Sequence, residues 1–254
     1  MTMLLPPNES DIARPSAMGQ PVIQSCSACS LAGLCLPMGL GADDLARMDS
    51  LVTRSEPMHA GDHLYRVGDA FDAVYAVRSG SFKIYTVDTE GREHVLGFHL
   101  PGELMGLKAI YPKRHITNAM ALDTATICVI PFLEFGLMAI KIPSLQTQMV
   151  RLMSRDLAEA VTLAGDYTAE ERIAAFLMGL SARFVQRGLS AREFNLTMSR
   201  RDIANYLRLA PETVSRVFAR FVKEKLISVD RRSVRLNDMP KLHALGRSME
   251  EMHG

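Results

Sequence analysis

The chain has 254 residues, of which 48% are hydrophobic and 22% charged, with a formal net charge of +1. That balance excludes a wholly disordered chain, and no apolar run nears the roughly 18 residues a membrane helix needs, while the length allows one large domain or two modest ones. The charge is uneven: residues 1–165 carry −4 and residues 166–254 carry +5, which points to a polyanion contact at the C-terminal end.

Residues 1–20 mix Pro6, Pro7, Glu9, Asp11 and Arg14. They lack the basic start and apolar stretch of a secretory signal, and read as a disordered tail on a cytoplasmic protein. Cys26, Cys29 and Cys35 then fall together in CSACSLAGLC, while Cys128 lies far along the chain in TATICVIPF. Four cysteines without an export signal point to a metal site or reactive thiols more than to disulfides. The CxxC spacing lets two thiolates bind one centre, Gly33 eases the loop that brings Cys35 to it, and Ala28, Leu31, Ala32 and Leu34 would shield it from water. Structural zinc usually takes a second knuckle or a His pair, and no His lies within 20 residues of the Cys26–Cys35 group. Three local thiolates and one remote thiolate fit an iron–sulfur cluster. On spacing alone zinc and free thiols stay open, and Cys128 reads equally as a ligand or as a small buried apolar residue.

Residues 43–51 have the pattern of a short amphipathic helix. From 56 to 132, short apolar runs are broken by Gly61, Gly68, Gly80, Gly91, Pro101 and Gly102. YAVRS, SFKIYTV, HVLGFHL and ATICVIPF alternate with period two, which predicts a sandwich or barrel of short strands such as a jelly roll. Asp88–Gly91 forms a hairpin tip in this reading. After Pro131 the pattern turns helical. From Pro143 to about Gly165, Leu145, Met149, Leu152, Met153, Leu157, Ala160, Val161 and Leu163 recur at spacings of three and four. So long a stripe needs a partner, either the β-domain or its twin in a second chain; length and Met content favour the twin, through Met149, Met153, Leu157 and Ala160. Asp166 to Gly188 is a second helix ending on a glycine stop.

The next segment is the most informative. Ser199 and Asp202 form a capping box opening a helix with Ile203, Ala204 and Leu207 on its apolar face. Arg208–Ala210 is a short turn, and Pro211 starts a new helix whose buried stripe is Val214, Val217, Phe218 and Phe221. Its outer face carries Glu212, Thr213, Ser215, Arg216 and Arg220. Leu226–Val229 and Val234–Leu236 read as a two-stranded wing. Residues 190–235 hold 11 Lys and Arg against 5 acids, net +6. Helix, turn and helix with a basic outer face is a helix-turn-helix for double-stranded DNA. Arg216 can donate twice to guanine, Glu212 can accept from cytosine N4, and Ser215 can reach a base. Arg200, Arg201, Arg208, Thr213 and Arg220 fall to the phosphate backbone. No HExxH, GxSxG, Walker loop or dinucleotide turn is present, so the chain reads as no enzyme, with a small iron–sulfur redox protein as the alternative.

These motifs together resemble the FNR branch of the cyclic-AMP receptor protein superfamily, oxygen-responsive transcription regulators of bacteria. The resemblance runs from Cys26 to about Leu236. It is carried by CSACSLAGLC, AVRSGSFKIYTVDTEGREHVLGFHLPGE, Cys128 before IPF, AEERIAAFL and TMSRRDIANYLRLAPETVSR. It implies an α+β chain: a cyclic-nucleotide-binding-like β jelly roll, a long dimerisation helix and a winged helix-turn-helix. The corresponding boundaries are 1–20 for the tail, 21–142 for cysteine loop and roll, 143–166 for the dimer helix, 167–240 for the DNA-binding domain and 241–254 for a C-terminal tail. It implies that Cys26, Cys29, Cys35 and Cys128 hold an oxygen-labile 4Fe–4S cluster, and that Glu212, Ser215 and Arg216 read TTGAT-type inverted repeats as a homodimer. It further implies activation of anaerobic genes through RNA polymerase, with the hairpin around Gly91 as one contact loop. Two departures stand out. Gly102-Glu103-Leu104 is present, but the later stretch reads Lys113-Arg114-His115-Ile116-Thr117 instead of the relatives' phosphate-binding Arg-Ser, so no cyclic nucleotide is expected. Ala160 stands where the branch places an Asp that keeps the apo form apart, which leaves a cluster-independent, zinc or metal-free constitutive dimer as the alternative.

Overall fold

The computed structural model describes residues 25–162 and 165–250, without the side chains of 159–162 and 248–250. The expected N-terminal tail, Leu163 and the side chains of Ala160 and Val161 lie outside the described residues. The described residues open with a single 3-10 turn, Cys26–Ala28, and reach helix α1 (Ala42–Leu51), whose first turn carries Asp43 and Asp44 at the positive end of its dipole.

Eight short strands follow: β1 (Thr53–Arg54), β2 (His63–Tyr65), β3 (Ala73–Ser79), β4 (Phe82–Val87), β5 (Glu93–His99), β6 (Leu104–Met105), β7 (Asn118–Ala121) and β8 (Thr126–Pro131). They pair antiparallel in two four-stranded sheets, ordered β1-β8-β3-β6 and β2-β7-β4-β5. Tyr65, Val77, Phe82, Ile84, Met105 and Ile127 fill the space between the sheets. Gly80 turns β3 into β4 at φ +73°, where a Cβ would lie 2.5 Å from the Thr124 carbonyl oxygen, so only glycine fits. The β4–β5 hairpin tip is set by Asp88, whose carboxylate accepts from the N–H groups of Glu90 and Arg92 at 2.9 and 3.0 Å.

Strand β8 runs directly into α2 (Phe132–Lys141), and Pro143 ends that helix by starting α3 (Pro143–Thr162). The sequence offers α3 one stripe and two possible partners. The structure divides the residues between two stripes. Leu145, Met149 and Leu152 are buried with Phe135, Ile130 and Leu104 in the chain's own core. Val150, Met153 and Leu157 stay 65%, 44% and 68% exposed. Met149 is therefore corrected from the open seam to the core, because it shares a face with Leu145, and Val150 takes its place on the open side.

Helix α4 (Ala169–Gln186) begins with a full capping box, Thr168 with Glu171. Then come β9 (Glu193–Asn195), α5 (Arg200–Tyr206), α6 (Pro211–Lys223), β10 (Ile227–Asp230), β11 (Ser233–Leu236) and α7 (Met239–Glu250). The wing has three strands, β10-β11-β9, rather than two. Residues up to 250 of the expected C-terminal tail are helical instead. Leu242 is fully buried, and Gly246 lets α7 approach α4 so closely that a Cβ there would sit 2.8 Å from the Ala175 nitrogen. Among the described residues no helix is long and apolar enough to cross a membrane. The core of the C-terminal part also takes in Tyr85, Val95, Phe98 and Leu100 of the roll, so reader and roll share one apolar cluster.

Candidate functional sites: a four-cysteine cavity and a helix-turn-helix face

Cys128 is fixed by the β-ladder. Its backbone faces Arg54 of β1 on one side and Ala76 of β3 on the other. The other three cysteines are carried by turns. Cys29 N–H donates to the Cys26 carbonyl at 3.3 Å and Cys35 N–H to the Leu31 carbonyl at 3.0 Å, which curls the segment on itself. Leu36 anchors it with 0% exposure. Leu34 lies over Gly102, where φ is +89° and a Cβ would come 3.1 Å from the Leu34 Cβ. Asp49 of α1 pins the start by accepting the Cys26 N–H at 2.9 Å while it holds the Arg54 guanidinium.

As a result Cys26, Cys29, Cys35 and Cys128 line one cavity, walled by Leu31, Ala32, Met48, Val52, Ala76 and Ile130. All four are free thiols. Among the described residues no three His, Cys, Asp or Glu groups converge on a single ion, so the thiols ring a space rather than meet at a point. Burial, reinforced by Asp49, pushes the Cys26 thiol up to about 12, and burial pushes Cys35 up to about 12 as well. Burial also raises Cys128, against the pull of Arg54 and Arg78. Left bare, such thiols stay protonated; a cationic centre reverses that, because the thiolate is the ligand. A thiol-only donor set with an apolar lining fits a 4Fe–4S cluster. The polar braces Asp49 and Arg54 were not legible in the sequence: Arg54 meets Cys128 only through a β-register across more than seventy residues.

The DNA-reading face is built locally. Ser199 Oγ accepts the Asp202 N–H at 3.0 Å, and the Asp202 carboxylate accepts the Ser199 backbone N–H at 3.3 Å, which closes the capping box. Arg208 at φ +56° makes the turn, and Pro211 opens α6. Val214, Val217, Phe218 and Phe221 are buried, while Glu212, Ser215 and Arg216 are exposed one turn apart. Ser215 Oγ donates to the Pro211 carbonyl at 3.0 Å, and Arg216 donates to Thr213 Oγ1 at 3.2 Å. Arg201 and Arg208 are exposed beside this face. Two other residues expected at the phosphates have partners within the chain. The Arg200 guanidinium lies 3.6 Å from the centre of the Phe218 ring and braces α5 on α6. Arg220 pairs with Glu170 of α4 and, at 2.9 Å, with Glu224. Gly91 lies at the exposed tip of the β4–β5 hairpin, at φ +77°.

Residues 56–138 match the cyclic nucleotide-binding domain, and residues 171–245 match the Crp-like helix-turn-helix domain. The transcriptional activator protein Anr of Pseudomonas protegens is 46% identical over 229 residues, covering 89% of this chain and 94% of that protein. The chain belongs to the CRP/FNR family. The fumarate and nitrate reduction regulatory protein of Salmonella typhimurium is 41% identical over 223 residues, covering 87% and 89%. Among solved structures, FixK2 from Bradyrhizobium japonicum superposes with a TM-score of 0.69 at 27% identity, over 76% of this chain and 96% of that one. As a CRP/FNR member the chain is a DNA-binding transcription regulator and not an enzyme.

Proposed function

We propose that this regulator responds to oxygen through a 4Fe–4S cluster held by Cys26, Cys29, Cys35 and Cys128, and that it controls anaerobic genes as a cytoplasmic homodimer on TTGAT-type inverted repeats. The observation that carries the reading is the single apolar cavity lined by thiols from two distant parts of the chain. Bound there, the cluster supplies an oxygen-labile centre. The residues do the rest. Cys26–Cys35 close over the roll, Asp49 and Arg54 hold the loop's first residue, and β8 continues from Cys128 through α2 into α3. The open stripe Val150, Met153 and Leu157 then meets its copy in a second chain. A two-fold dimer sets two α6 helices in successive major grooves about 34 Å apart, with Arg216, Glu212 and Ser215 on base edges and Arg201 and Arg208 on phosphates. The Gly91 hairpin is a contact for RNA polymerase.

The roll's interior supports the absence of a cyclic nucleotide. His115 stacks on Tyr65 with ring centres 3.7 Å apart, and Glu103 is engaged by Arg183 and Arg187. Purification without oxygen, with absorbance and iron content recorded before and after air, tests the reading. A band in the visible blue, about four irons per chain and bleaching in air support it, followed by loss of DNA binding. A colourless protein with zinc or no metal would overturn it.

A further inference from the structure

Lys83 on β4 is 5% exposed, although lysine is among the side chains least often buried. Its ammonium donates to Glu93 of β5 at 2.8 Å and to Asp202 of α5 at 2.9 Å, and sits 4.9 Å from the Tyr85 ring centre. Asp202 is the same carboxylate that caps α5. One turn on, Asn205 lies against β5, the edge strand of its sheet. Its side-chain oxygen accepts the Val95 N–H at 2.7 Å, and its amide donates to the Glu93 carbonyl at 2.5 Å. Asn205 thus fills an open backbone slot as a neighbouring strand would. Ser81 Oγ and Thr197 Oγ1 add a bond of 2.7 Å. Nearer the linker, Arg172 of α4 donates to the Gly165 carbonyl at 2.7 Å and the Tyr167 carbonyl at 3.1 Å.

Apolar contact between roll and reader is non-directional, whereas hydrogen bonds hold only over a narrow range of angle and distance. The polar bonds therefore select one docking orientation. That orientation turns α5 to the roll and leaves Glu212, Ser215 and Arg216 of α6 exposed. We propose that Lys83 and Asn205 are positioning residues for DNA recognition: they lock the helix-turn-helix onto the β5 edge in the orientation that gives a dimer its half-site spacing. The proposal rests on the dimer reading above, not on the oxygen response.

The test uses the full chain purified without oxygen, as wild type, Lys83→Met, Lys83→Arg and Asn205→Ala. The probes are duplexes bearing the inverted repeat that the wild-type chain itself selects from a random pool, the same repeat with one or two base pairs added between half-sites, and one half-site alone. Lys83→Met and Asn205→Ala should bind the selected repeat about tenfold more weakly or worse, because each removes bonds that tie α5 to β4 and β5. Their discrimination against the altered spacing should fall with it, half-site binding should stay within about twofold because its phosphate and base contacts are untouched, and Lys83→Arg should recover part of the selectivity. Hydrogen exchange at the Val95 amide should quicken in Asn205→Ala, which keeps the test open should Lys83→Met fail to fold. Unchanged spacing discrimination, an equal loss on half-site and full site, tighter binding by the variants, or an unaltered Val95 amide would each overturn the proposal. Selection of a repeat other than TTGAT, or a wild type indifferent to air, would refute the functional reading and leave this comparison intact.

Discussion

Replacing Glu103 by Gln removes the charge that two arginines share. Glu103 accepts Arg183 at 2.6 Å and Arg187 at 2.7 Å, and its side chain is 11% exposed, Arg187's only 4%. Burial pushes the Glu103 carboxyl up, but the Arg183 guanidinium, with His99 and Arg187 behind it, holds it at about 2 instead of 4.5. That displacement corresponds to about 3 kcal/mol of folding stability at neutral pH. Because the folded value lies below the unfolded one, the stabilisation is complete above about pH 4.5 and drains away as pH falls towards 2. Glu103→Gln should therefore cost about 3 kcal/mol at pH 7, consistent with stranding a buried arginine. The deficit relative to wild type should shrink by about 1 kcal/mol at pH 4. Urea unfolding followed by circular dichroism at both pH values reads this directly, since the chain has no Trp to report by fluorescence. A variant within about 1 kcal/mol of wild type at pH 7, or a deficit that does not change with pH, would refute the argument.

Leu157→Asp places a charge on the open stripe of α3, so sedimentation should show dimerisation weakened by about tenfold or more while the monomer's melting temperature barely moves. Arg216→Ala should lower affinity by about 1–3 kcal/mol and relax preference at one base pair in a selection experiment. Arg201→Ala should weaken all sequences alike and reduce the slope of log affinity against log salt by about 1. Asp49→Ala leaves the Cys26 N–H without its acceptor, so colour should bleach faster in air, with a cost of about 1–3 kcal/mol in urea unfolding; an unchanged bleaching rate would remove Asp49 from the site.

What the sequence made legible was local chemistry. The Ser199–Asp202 box, Pro211 and the Val214–Phe221 stripe lie within one or two turns of each other, so spacing alone builds the reader. The alternating runs of 56–132 likewise declare their strands. Less legible was anything decided by a distant neighbour. Met149 and Met153 look alike in the sequence, yet one packs on Ile130 and Phe135 and the other faces outward. Arg200 reads as a phosphate contact, and its place over the Phe218 ring comes only with the fold. Gly246 argues against a helix unless α4 lies close enough to require it. Lys83 interrupts an apolar strand, and its burial is explained by Glu93 of the next strand together with the distant Asp202. The four cysteines lie between these cases: CxxC is local, but the place of Cys128 depends on β8 lying beside β1 and β3.

Cys128 and its three companions are held with unequal firmness. One belongs to a strand bonded on both edges, and the others to a ten-residue stretch pinned at Asp49, Gly102 and Leu36. On the proposed reading, loss of the shared centre would leave the stretch to those protein contacts alone and leave the strand where it is. On the same reading, reassembly amounts to closing one short segment onto a fixed post. The entropic barrier to such a closure grows only as the logarithm of segment length. On the proposed reading, loss and refilling of the site would therefore involve the loop and leave the roll folded.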